Sequence, residues 1–306
     1  MIREAHAEVP AELGGERLDK ALAALLGLSR GQSRRVLQAG GAWLGGQRVR
    51  TASRPVKVGE QVQAYWADPP EAEVPPLSPA AVLLRRAGLL AVDKPAGVHS
   101  QAARHRLVGT LPELCQRLLG LREAPEPVHR LDRDCSGVAV LAETPAARRG
   151  LGKLWADGRP TKRYLAILAG VIAAEEAVLD FPIGEDPAGP PGRRCVVEGG
   201  QAARSALRVL GRGVEATLVE LRPLTGRTHQ LRVHCAHLGH PLLGDRWYAP
   251  PEVAARAPRL CLHAWRLDLP RGAPGTPCAL EAPVPETFAA AMAAAGVSLP
   301  DAHSWR

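Results

Sequence analysis

The sequence concentrates reactive side chains in one short stretch, residues 129–137, which reads His-Arg-Leu-Asp-Arg-Asp-Cys-Ser-Gly. Asp132 lies there between Arg130 and Arg133, and nearby positive charge keeps a carboxylate ionised. An ionised Asp can act as a nucleophile, a general base or a metal ligand. Asp132 is therefore the leading catalytic candidate. The alternative that local chemistry leaves open is a surface ion pair beside a strand.

Predicted strands position the polar candidates. An apolar run at 138–142 predicts a buried strand directly after this loop, and polar loops on such rigid scaffolds often carry function. A second strand, 89–92, ends in a Lys-Pro-Ala-Gly turn from which Lys94 is predicted to reach phosphate. A third strand, 161–168, carries Tyr164. This tyrosine either stacks on a base or takes a proton, or it is a core residue with a satisfied hydroxyl.

A second polar stretch, residues 223–234, reads Pro-Leu-Thr-Gly-Arg-Thr-His-Gln-Leu-Arg-Val-His. Thr228 can cap a helix that runs to Gly239, and Leu231 lies in the apolar seam of that helix. The helix is followed by a predicted turn at 239–245 with the sequence Gly-His-Pro-Leu-Leu-Gly-Asp.

The histidines of this region also suggest a zinc site, which would draw on His229, His234, His237, His240 and Cys235. His234 and His237 are only three positions apart, no Glu lies between them, and no Cys pair completes four ligands. No metal is therefore expected, and these histidines are predicted to bond backbone, cap the helix or touch RNA. Asp132 and Asp134 could form a glycosidase-type carboxylate pair, but the sequence yields no distance between them.

Composition favours a polyanionic partner. The 306 residues carry a formal net charge of +8, and much of the positive charge is Arg, which suits phosphate binding and base stacking. Nucleic acid is the first expected partner, and an ordinary basic protein is the alternative. Six scattered Cys without a Cys-x-x-Cys pair predict a reduced, cytoplasmic protein. A polar start and the lack of a long apolar stretch predict no signal peptide and no membrane span.

Residues 1–66 are predicted to form a small RNA-binding domain. An extended arm, 1–15, is followed by one helix that ends at Gly27 and a second that Ser29 caps. Two short strands are predicted around 42–44 and 61–65, and Gly45-Gly46 is predicted to form a turn between 43–44 and 47–49. The second helix has a basic N-terminus, which is either a phosphate-binding surface or a solvated face. The predicted RNA-binding residues are Arg17, Lys20, Arg30, Arg34 and Arg35.

The remaining chain divides into a linker and one larger domain. Residues 67–80 are rich in proline and predict a semi-rigid, extended linker. Residues 81–306 are predicted to form the catalytic domain. Its expected elements are helices near 108–121, 145–156 and 286–296, a mobile hairpin or loop at 184–203, and strands near 205–210 and 214–221.

Four motifs, in this order along the chain, resemble those of the RluA-type pseudouridine synthases. They are Lys-Pro-x-Gly at Lys94, His-Arg-Leu-Asp with Ser-Gly at 129–137, Lys-x-Tyr at Tyr164, and Thr-Gly-Arg-x-His-Gln-Leu-Arg with Gly-His-Pro-x-x-Gly-Asp at 225–245. Cys135 stands where the family usually has Thr. The N-terminal region is similar to the RNA-binding domain first seen in ribosomal small-subunit protein four, through its Arg-Leu-Asp opening and Ser-Arg helix start.

The resemblance implies an α+β fold, with a mixed, mainly antiparallel sheet, flanking helices and a small N-terminal ααβ domain. It implies an isomerase that cuts uracil from ribose, turns it over and rejoins it through a carbon, without a redox step or a cofactor. Three roles stay open for Asp132: attack on the anomeric carbon, attack on the uracil ring, or help in removing a sugar proton.

The resemblance also implies roles for the other candidates. Arg227 is expected to be the cation that pairs with Asp132 and orients it. Tyr164 is expected to stack under the base and assist the closing proton removal. Arg130 is expected to take the place of the extruded uridine, since chemistry on a paired base requires flipping. The further substrate-binding candidates are His129, Leu231 and Lys94.

The expected partner is structured RNA, bound by a monomer. By family analogy alone, large-subunit ribosomal RNA is favoured over transfer RNA. One alternative is an RNA-binding assembly factor that lost activity, against which the intact Asp132, Tyr164 and Arg227 argue. Another is a base-removing glycosylase, which would need a water route that the sequence cannot show.

Overall fold

The structure is a computed structural model that describes residues 2–38, 40–67, 74–101 and 109–300. The chain forms two compact units. The first comprises Met1–Pro76 and Gln101–Gly120, and the second comprises Leu77–Ser100 and Leu121–Arg306. Much of the predicted linker, residues 68–73, lies outside the described residues. Within the described ranges, no helix is long and apolar enough to cross a membrane.

The first unit contains a four-stranded antiparallel sheet in the order β1-β4-β2-β3. Apolar side chains of its first two helices pack with the sheet in one core that includes Leu18, Leu22, Val36, Leu37 and Val62. The elements of the unit are β1 (Ile2–Glu8), α1 (Leu18–Leu26), α2 (Arg30–Gln38), β2 (Ala42–Leu44), β3 (Gln47–Val49), β4 (Gln61–Ala67) and α3 (Leu111–Leu119).

Local sequence sets the ends of these helices as predicted. α1 ends at Gly27, whose left-handed φ of 64° is free of strain only for glycine. At the start of α2, Ser29 Oγ accepts from the Gln32 amide at 3.1 Å and Gln32 Oε1 accepts from the Ser29 amide at 2.8 Å. This reciprocal capping satisfies two amides that a helix start leaves unpaired.

The predicted N-terminal arm is part of the sheet rather than a free extension. β1 pairs with β4 along its whole length, from Ile2 opposite Ala67 to Glu8 opposite Gln61. This pairing supplies hydrogen-bond partners to the backbone groups along one edge of β4, which would otherwise have none in the sheet. A sequence pattern cannot reveal this, because the partner strand lies more than fifty residues away.

The second unit is built on a ten-stranded sheet with the order β10-β13-β14-β9-β15-β8-β6-β5, in which β16 pairs with β15 and β7 with β8. Its strands are β5 (Val82–Arg86), β6 (Leu89–Lys94), β7 (Glu126–Pro127), β8 (Ser136–Ala142), β9 (Thr161–Ala169), β10 (Glu176–Asp180), β13 (Arg204–Arg212), β14 (Ala216–Pro223), β15 (Leu262–Leu269) and β16 (Cys278–Glu281). A separate hairpin is formed by β11 (Ile183–Glu185) and β12 (Arg194–Val196).

The helices of this unit are α4 (Pro145–Ala156), α5 (Gln230–His237), α6 (Pro251–Ala254) and α7 (Glu286–Ala294). α4 buries Leu151 and Leu154 against β6, β8 and β15, and α7 buries Phe288 and Met292 against β9 and β14. Every pairing that the structure describes in the large sheet is antiparallel except that of β15 with β8. The predicted mixed, mainly antiparallel fold with flanking helices is thus confirmed.

The strand after the Asp132 loop lies in the middle of the sheet. All seven residues of β8 are buried, as the continuous apolar run predicts. Gly137, the second residue of this strand, has a φ of +112°, and a Cβ atom there would collide with the carbonyl group of Ala264 on β15. Only glycine therefore allows the parallel pair β8–β15 to approach this closely.

Candidate active site

The Asp132 loop is held by backbone and hydroxyl contacts from the segment that follows β6. The Cys135 amide donates to the Asp132 carbonyl at 3.2 Å and closes a tight turn. Ser100 Oγ donates to the Leu131 carbonyl at 2.8 Å and accepts from the Leu131 amide at 3.0 Å. The Arg133 carbonyl accepts from the Gly97 amide at 2.9 Å. The loop that carries Asp132 is therefore fixed on both sides of the carboxylate.

Lys94 completes this support and does not reach solvent. Its side chain is fully buried, and Nζ donates to the carbonyls of Pro95, Val98 and Arg133 at 2.9, 2.7 and 2.9 Å. Burial lowers its pKa to about 8, against the opposing influence of nearby acidic groups. The prediction that Lys94 contacts phosphate is wrong, because all three ammonium protons are committed to backbone oxygens.

The cation that pairs with Asp132 is Arg232, on α5. Arg232 Nη1 donates to Asp132 Oδ2 at 3.1 Å, while Nε and Nη2 each donate at 2.8 Å to the two oxygens of Asp245. Asp245 is fully buried, Arg232 is 8% exposed and Asp132 is 22% exposed. One guanidinium therefore joins a buried carboxylate to one that faces the solvent-accessible side of the site.

Arg227 lies elsewhere, which corrects the predicted Arg227–Asp132 pair. Its Nε donates to the Ala202 carbonyl at 3.1 Å, and the residue is exposed. The physical reason is where α5 begins. Arg227 precedes the helix, whereas Arg232 lies within it and is carried into the buried interior.

The start of α5 also differs from the prediction. Its N-cap residue is His229, which adopts a left-handed φ of 57°, and Thr228 does not cap it. The Gln230 side chain fixes the segment that leads into α5, because its Oε1 accepts from the Arg227 amide at 3.0 Å and from Thr225 Oγ1 at 2.7 Å. His229 Nδ1 shares a 2.7 Å hydrogen bond with the Tyr248 hydroxyl. A residue nineteen positions later thus helps to hold an unfavourable backbone conformation.

Tyr164 lies on β9 and is 9% exposed. Burial raises the pKa of its phenol, and the charges of Cys135 and Asp132 raise it further. The phenol therefore stays protonated at neutral pH, and Tyr164 lines a small cavity together with Val138, Ala264 and Leu267. A protonated, largely buried ring suits stacking better than proton abstraction.

His129 supports β8 instead of facing a substrate. Its Nε2 accepts from the Val140 amide at 3.0 Å, and its ring stacks on Trp155 with centroids 5.0 Å apart. Burial lowers the His129 pKa to about 3, and the positive charge of Lys162 acts in the same direction. The ring is therefore neutral, and its predicted role in substrate binding is replaced by a structural one.

The other predicted residues divide into exposed and buried groups. Arg130 is exposed, and Leu231 is 6% exposed on α5. Arg133 pairs with Asp134 at 3.2 Å, with both side chains more than half exposed. Cys135 is buried, and burial raises the pKa of its thiol to about 12, so it is an inert member of the turn.

The histidines that suggested a zinc site have other partners. His234 contacts Ser205 Oγ and the Phe181 carbonyl, each at 3.0 Å, and His240 Nδ1 contacts the Ala169 carbonyl at 2.8 Å. In the part of the chain that the structure describes, no group of three or more His, Cys, Asp or Glu side chains is placed to hold a metal ion.

The basic residues predicted to bind RNA in the first unit are partly engaged with one buried acid. Arg17 Nε and Arg34 Nε contact the two oxygens of Asp19 at 2.9 and 3.2 Å. Asp19 is 1% exposed, and the hydrogen bond from Arg17 lowers its pKa to about 2. Lys20 pairs with Glu16 at 3.0 Å. Arg30 and Arg35 are exposed on α2.

Three residues of the site were missed at the sequence level: Arg232, Asp245 and Tyr248. Arg232 and Asp245 both occur in the motifs quoted above. Arg232 could have been found, because it is a charged residue next to the apolar seam of a predicted helix. Such a residue needs a buried partner. Tyr248 follows the last motif by three positions and gave no signal in the pattern.

Comparisons with known proteins identify the family of this chain. Residues 88–237 match the family described as RNA pseudouridylate synthase, and residues 16–62 match the S4 domain. The dual-specificity RNA pseudouridine synthase RluA of Escherichia coli (strain K12) is 38% identical over 211 residues, which cover 68% of this chain and 95% of that protein. The ribosomal large subunit pseudouridine synthase D of Nitrosomonas europaea is 34% identical over 307 residues, covering 94% of this chain and 86% of that protein.

A solved structure shares much of this fold. Human RNA Pseudouridylate Synthase Domain Containing 1 superposes with a TM-score of 0.61 at 27% identity, covering 72% of this chain and 96% of that one. Since a relative above 30% identity aligns over nearly the whole chain, the resemblance seen in the motifs is confirmed. The chain belongs to the RNA pseudouridylate synthase family, whose members are isomerases, and it carries an N-terminal S4 domain.

Proposed function

We propose that this enzyme converts specific uridines of structured RNA to pseudouridine, with Asp132 as the catalytic carboxylate. The observation that carries the proposal is the Asp132–Arg232 pair. A partly exposed carboxylate on a fixed loop accepts from a guanidinium that a buried acid holds in place. Such a carboxylate is paired with a cation and held in one orientation, as any of its possible roles requires.

The reaction is redox-neutral. The N1–C1′ bond of the uridine breaks, the uracil turns over, and a C5–C1′ bond forms while the C5 proton is lost to solvent and N1 gains a proton. Asp132 would attack the anomeric carbon, attack the uracil ring, or remove a sugar proton. Each route uses the same ionised oxygen, so the chemistry requires neither a cofactor nor a metal.

The surrounding residues fit supporting roles in this proposal. Tyr164 would stack under the base, and its raised pKa favours stacking over service as the base that removes the C5 proton. Leu231 would form an apolar wall of the site. Arg130, exposed beside Asp132, would occupy the position of the uridine that leaves the RNA stack. Arg227 would contact an RNA phosphate.

Large-subunit ribosomal RNA is the favoured substrate, and transfer RNA is the second candidate. The relative that aligns with 94% of this chain is named for the large ribosomal subunit, whereas the dual-specificity relatives align with 64–68% of it. The basic residues Arg30 and Arg35, in a domain spanning roughly residues 1–66, would add phosphate contacts. A linker over 67–80 and a catalytic domain over 81–306 complete the proposed organisation, in a cytoplasmic monomer.

The test is tritium release from RNA transcripts labelled at uridine C5. A synthase releases the label and leaves a base joined to its sugar. A glycosylase leaves an abasic site, and an inactive assembly factor binds RNA without release. Mapping pseudouridines in cells with and without the gene then separates ribosomal from transfer RNA. Binding without release would refute the proposed activity.

A further inference from the structure

One large aromatic side chain beside the site is exposed. Trp247 shows 41% of its surface to solvent, whereas Trp43 and Trp265 are 8% and 3% exposed. Among the tryptophans that the structure describes, it alone falls in the exposed class. Exposed tryptophan side chains are enriched at binding interfaces, where the ring supplies a large apolar contact area.

The Trp247 backbone is hydrogen-bonded to Asp245, the buried residue that also holds Arg232 beside Asp132. Its amide donates to Asp245 Oδ1 at 3.0 Å, and that oxygen also accepts from Arg232 Nη2 at 2.8 Å. Arg232 in turn donates to Asp132. Three hydrogen bonds in series thus connect the Trp247 backbone to the catalytic carboxylate, and the buried Asp245 cannot shift without disturbing both.

The Trp247 indole also has a ring contact with His229. The His229 ring meets it at 89° with centroids 5.3 Å apart, and His229 is anchored by the Tyr248 hydroxyl. The amides of Trp247 and Tyr248 both donate to Asp245. The indole is therefore exposed yet held by its neighbours, so that little conformational freedom remains to be lost when a ligand covers it.

Cations lie around the neighbouring Tyr248 ring, whose centroid is 6.5 Å from that of Trp247. The guanidinium groups of Arg232 and Arg193 lie 4.9 and 5.6 Å from the Tyr248 ring centroid. Arg246, adjacent to Trp247, is exposed, as is Arg227 just before the start of α5. An aromatic face among arginines is complementary to a nucleotide, which presents a flat base together with a negative phosphate.

We propose that Trp247 is a stacking platform for a base of the RNA strand next to the target uridine. The inference rests on the proposed function, which extrudes the uridine and leaves its neighbours partly unstacked. Stacking on Trp247 would compensate for that loss and hold the strand near Asp132. Because every base has a π-face, this contact would strengthen binding with little preference for sequence.

The binding test uses the Asp132→Asn variant, in which no turnover is expected, and an oligouridylate roughly 12 nucleotides long. Trp247→Ala in this background should weaken the affinity about 5- to 150-fold, which is the effect expected for one lost base stack. Trp247→Phe should retain most of it. Val214→Ala, at an apolar residue that is 92% exposed, is the matched control and should change nothing.

A second ligand separates stacking from charge attraction. A ribose-phosphate oligomer of the same length without bases keeps the phosphates and removes the π-faces. Trp247→Ala should leave its affinity unchanged. Equal losses for both oligomers, or no loss for the oligouridylate with Trp247→Ala well folded by thermal melt, would overturn the proposal.

Fluorescence gives an independent readout. In a Trp305→Phe background, which removes a tryptophan that lies outside the described residues, oligouridylate should quench the emission and reduce its access to acrylamide. Trp247→Phe should remove most of both changes, since Trp66 and Trp155 are less exposed than Trp247, and an undiminished response would contradict the proposal. These measurements need no turnover, so they remain decisive if tritium release fails and the proposed function falls.

Discussion

Arg232 Nη1 donates to Asp132 Oδ2 at 3.1 Å, and the same guanidinium makes a two-pronged ion pair with the fully buried Asp245. Asp132 therefore belongs to a three-residue charge network and is not an isolated surface acid. The bidentate geometry fixes the plane of the guanidinium, and the third nitrogen then fixes where the Asp132 carboxylate lies. One helix residue thus orients the proposed catalytic carboxylate.

Removing that guanidinium should damage both stability and activity. Arg232→Met leaves Asp245 buried without a counter-charge, which costs about 3–5 kcal/mol in the free energy of unfolding. Arg227→Met removes an exposed side chain with one backbone contact and should cost far less. Thermal melts and tritium release of both variants make the comparison. Addition of Asp245→Asn to Arg232→Met should recover part of the stability but no activity, and strictly additive losses would rule out the network.

Asp132→Asn should abolish turnover while RNA binding survives. The substitution keeps the shape of the side chain and the hydrogen-bond acceptor for Arg232 but removes the charge. Asp134→Asn is the matched control, since Asp134 is 51% exposed and pairs only with the exposed Arg133 among the ion pairs that the structure describes at the site. It should retain most of the tritium release. Comparable activity in the two variants would remove Asp132 from the mechanism.

Lys94→Met should reduce kcat and stability without weakening RNA binding. The variant leaves the carbonyls of Pro95 and Val98 short of a donor, at about 1–3 kcal/mol for each buried unsatisfied group, whereas the Arg133 carbonyl keeps the Gly97 amide. The Asp132 loop loses one of its supports as a result. The affinity for RNA and its salt dependence should stay the same. A salt slope reduced by about 0.9 would instead show that Lys94 contacts a phosphate.

His129 should make the fold sensitive to mild acid. Its pKa is about 3 in the folded chain and about 6.5 when unfolded, so below pH 6.5 the unfolded chain binds the extra proton. The stability that the neutral ring contributes is complete above about pH 6.5 and is lost progressively as the pH falls towards 3.

The slope that this one group adds is up to about 1.4 kcal/mol per pH unit. His129→Gln keeps an acceptor for the Val140 amide but cannot take up the proton. Urea unfolding from about pH 7 to about pH 5 should therefore show a shallower loss of stability in the variant than in the original chain. Parallel pH curves would mean that His129 is protonated equally in both states.

Sequence alone determined the parts of this protein that depend on local pattern. The buried strand β8 follows from an apolar run, the ends of α1 and α2 follow from Gly27 and Ser29, and Asp132 stands out by its charged neighbours. The motifs and their order also indicated the family. Each of these signals lies within a few consecutive residues. It could therefore be recognised without knowing which distant helix or strand packs against it.

Only the tertiary structure decided which charges meet. Arg232, and not Arg227, reaches Asp132, because α5 starts at Gln230 with a left-handed His229 that Tyr248 holds from a later segment. In the sequence, Lys94 and His129 look like ligands that face solvent. In the structure, the buried Lys94 ammonium donates to three backbone carbonyls, and His129 Nε2 accepts a hydrogen bond from the Val140 amide on β8. Such long-range contacts are set by how distant elements pack, and local spacing carries no information about them.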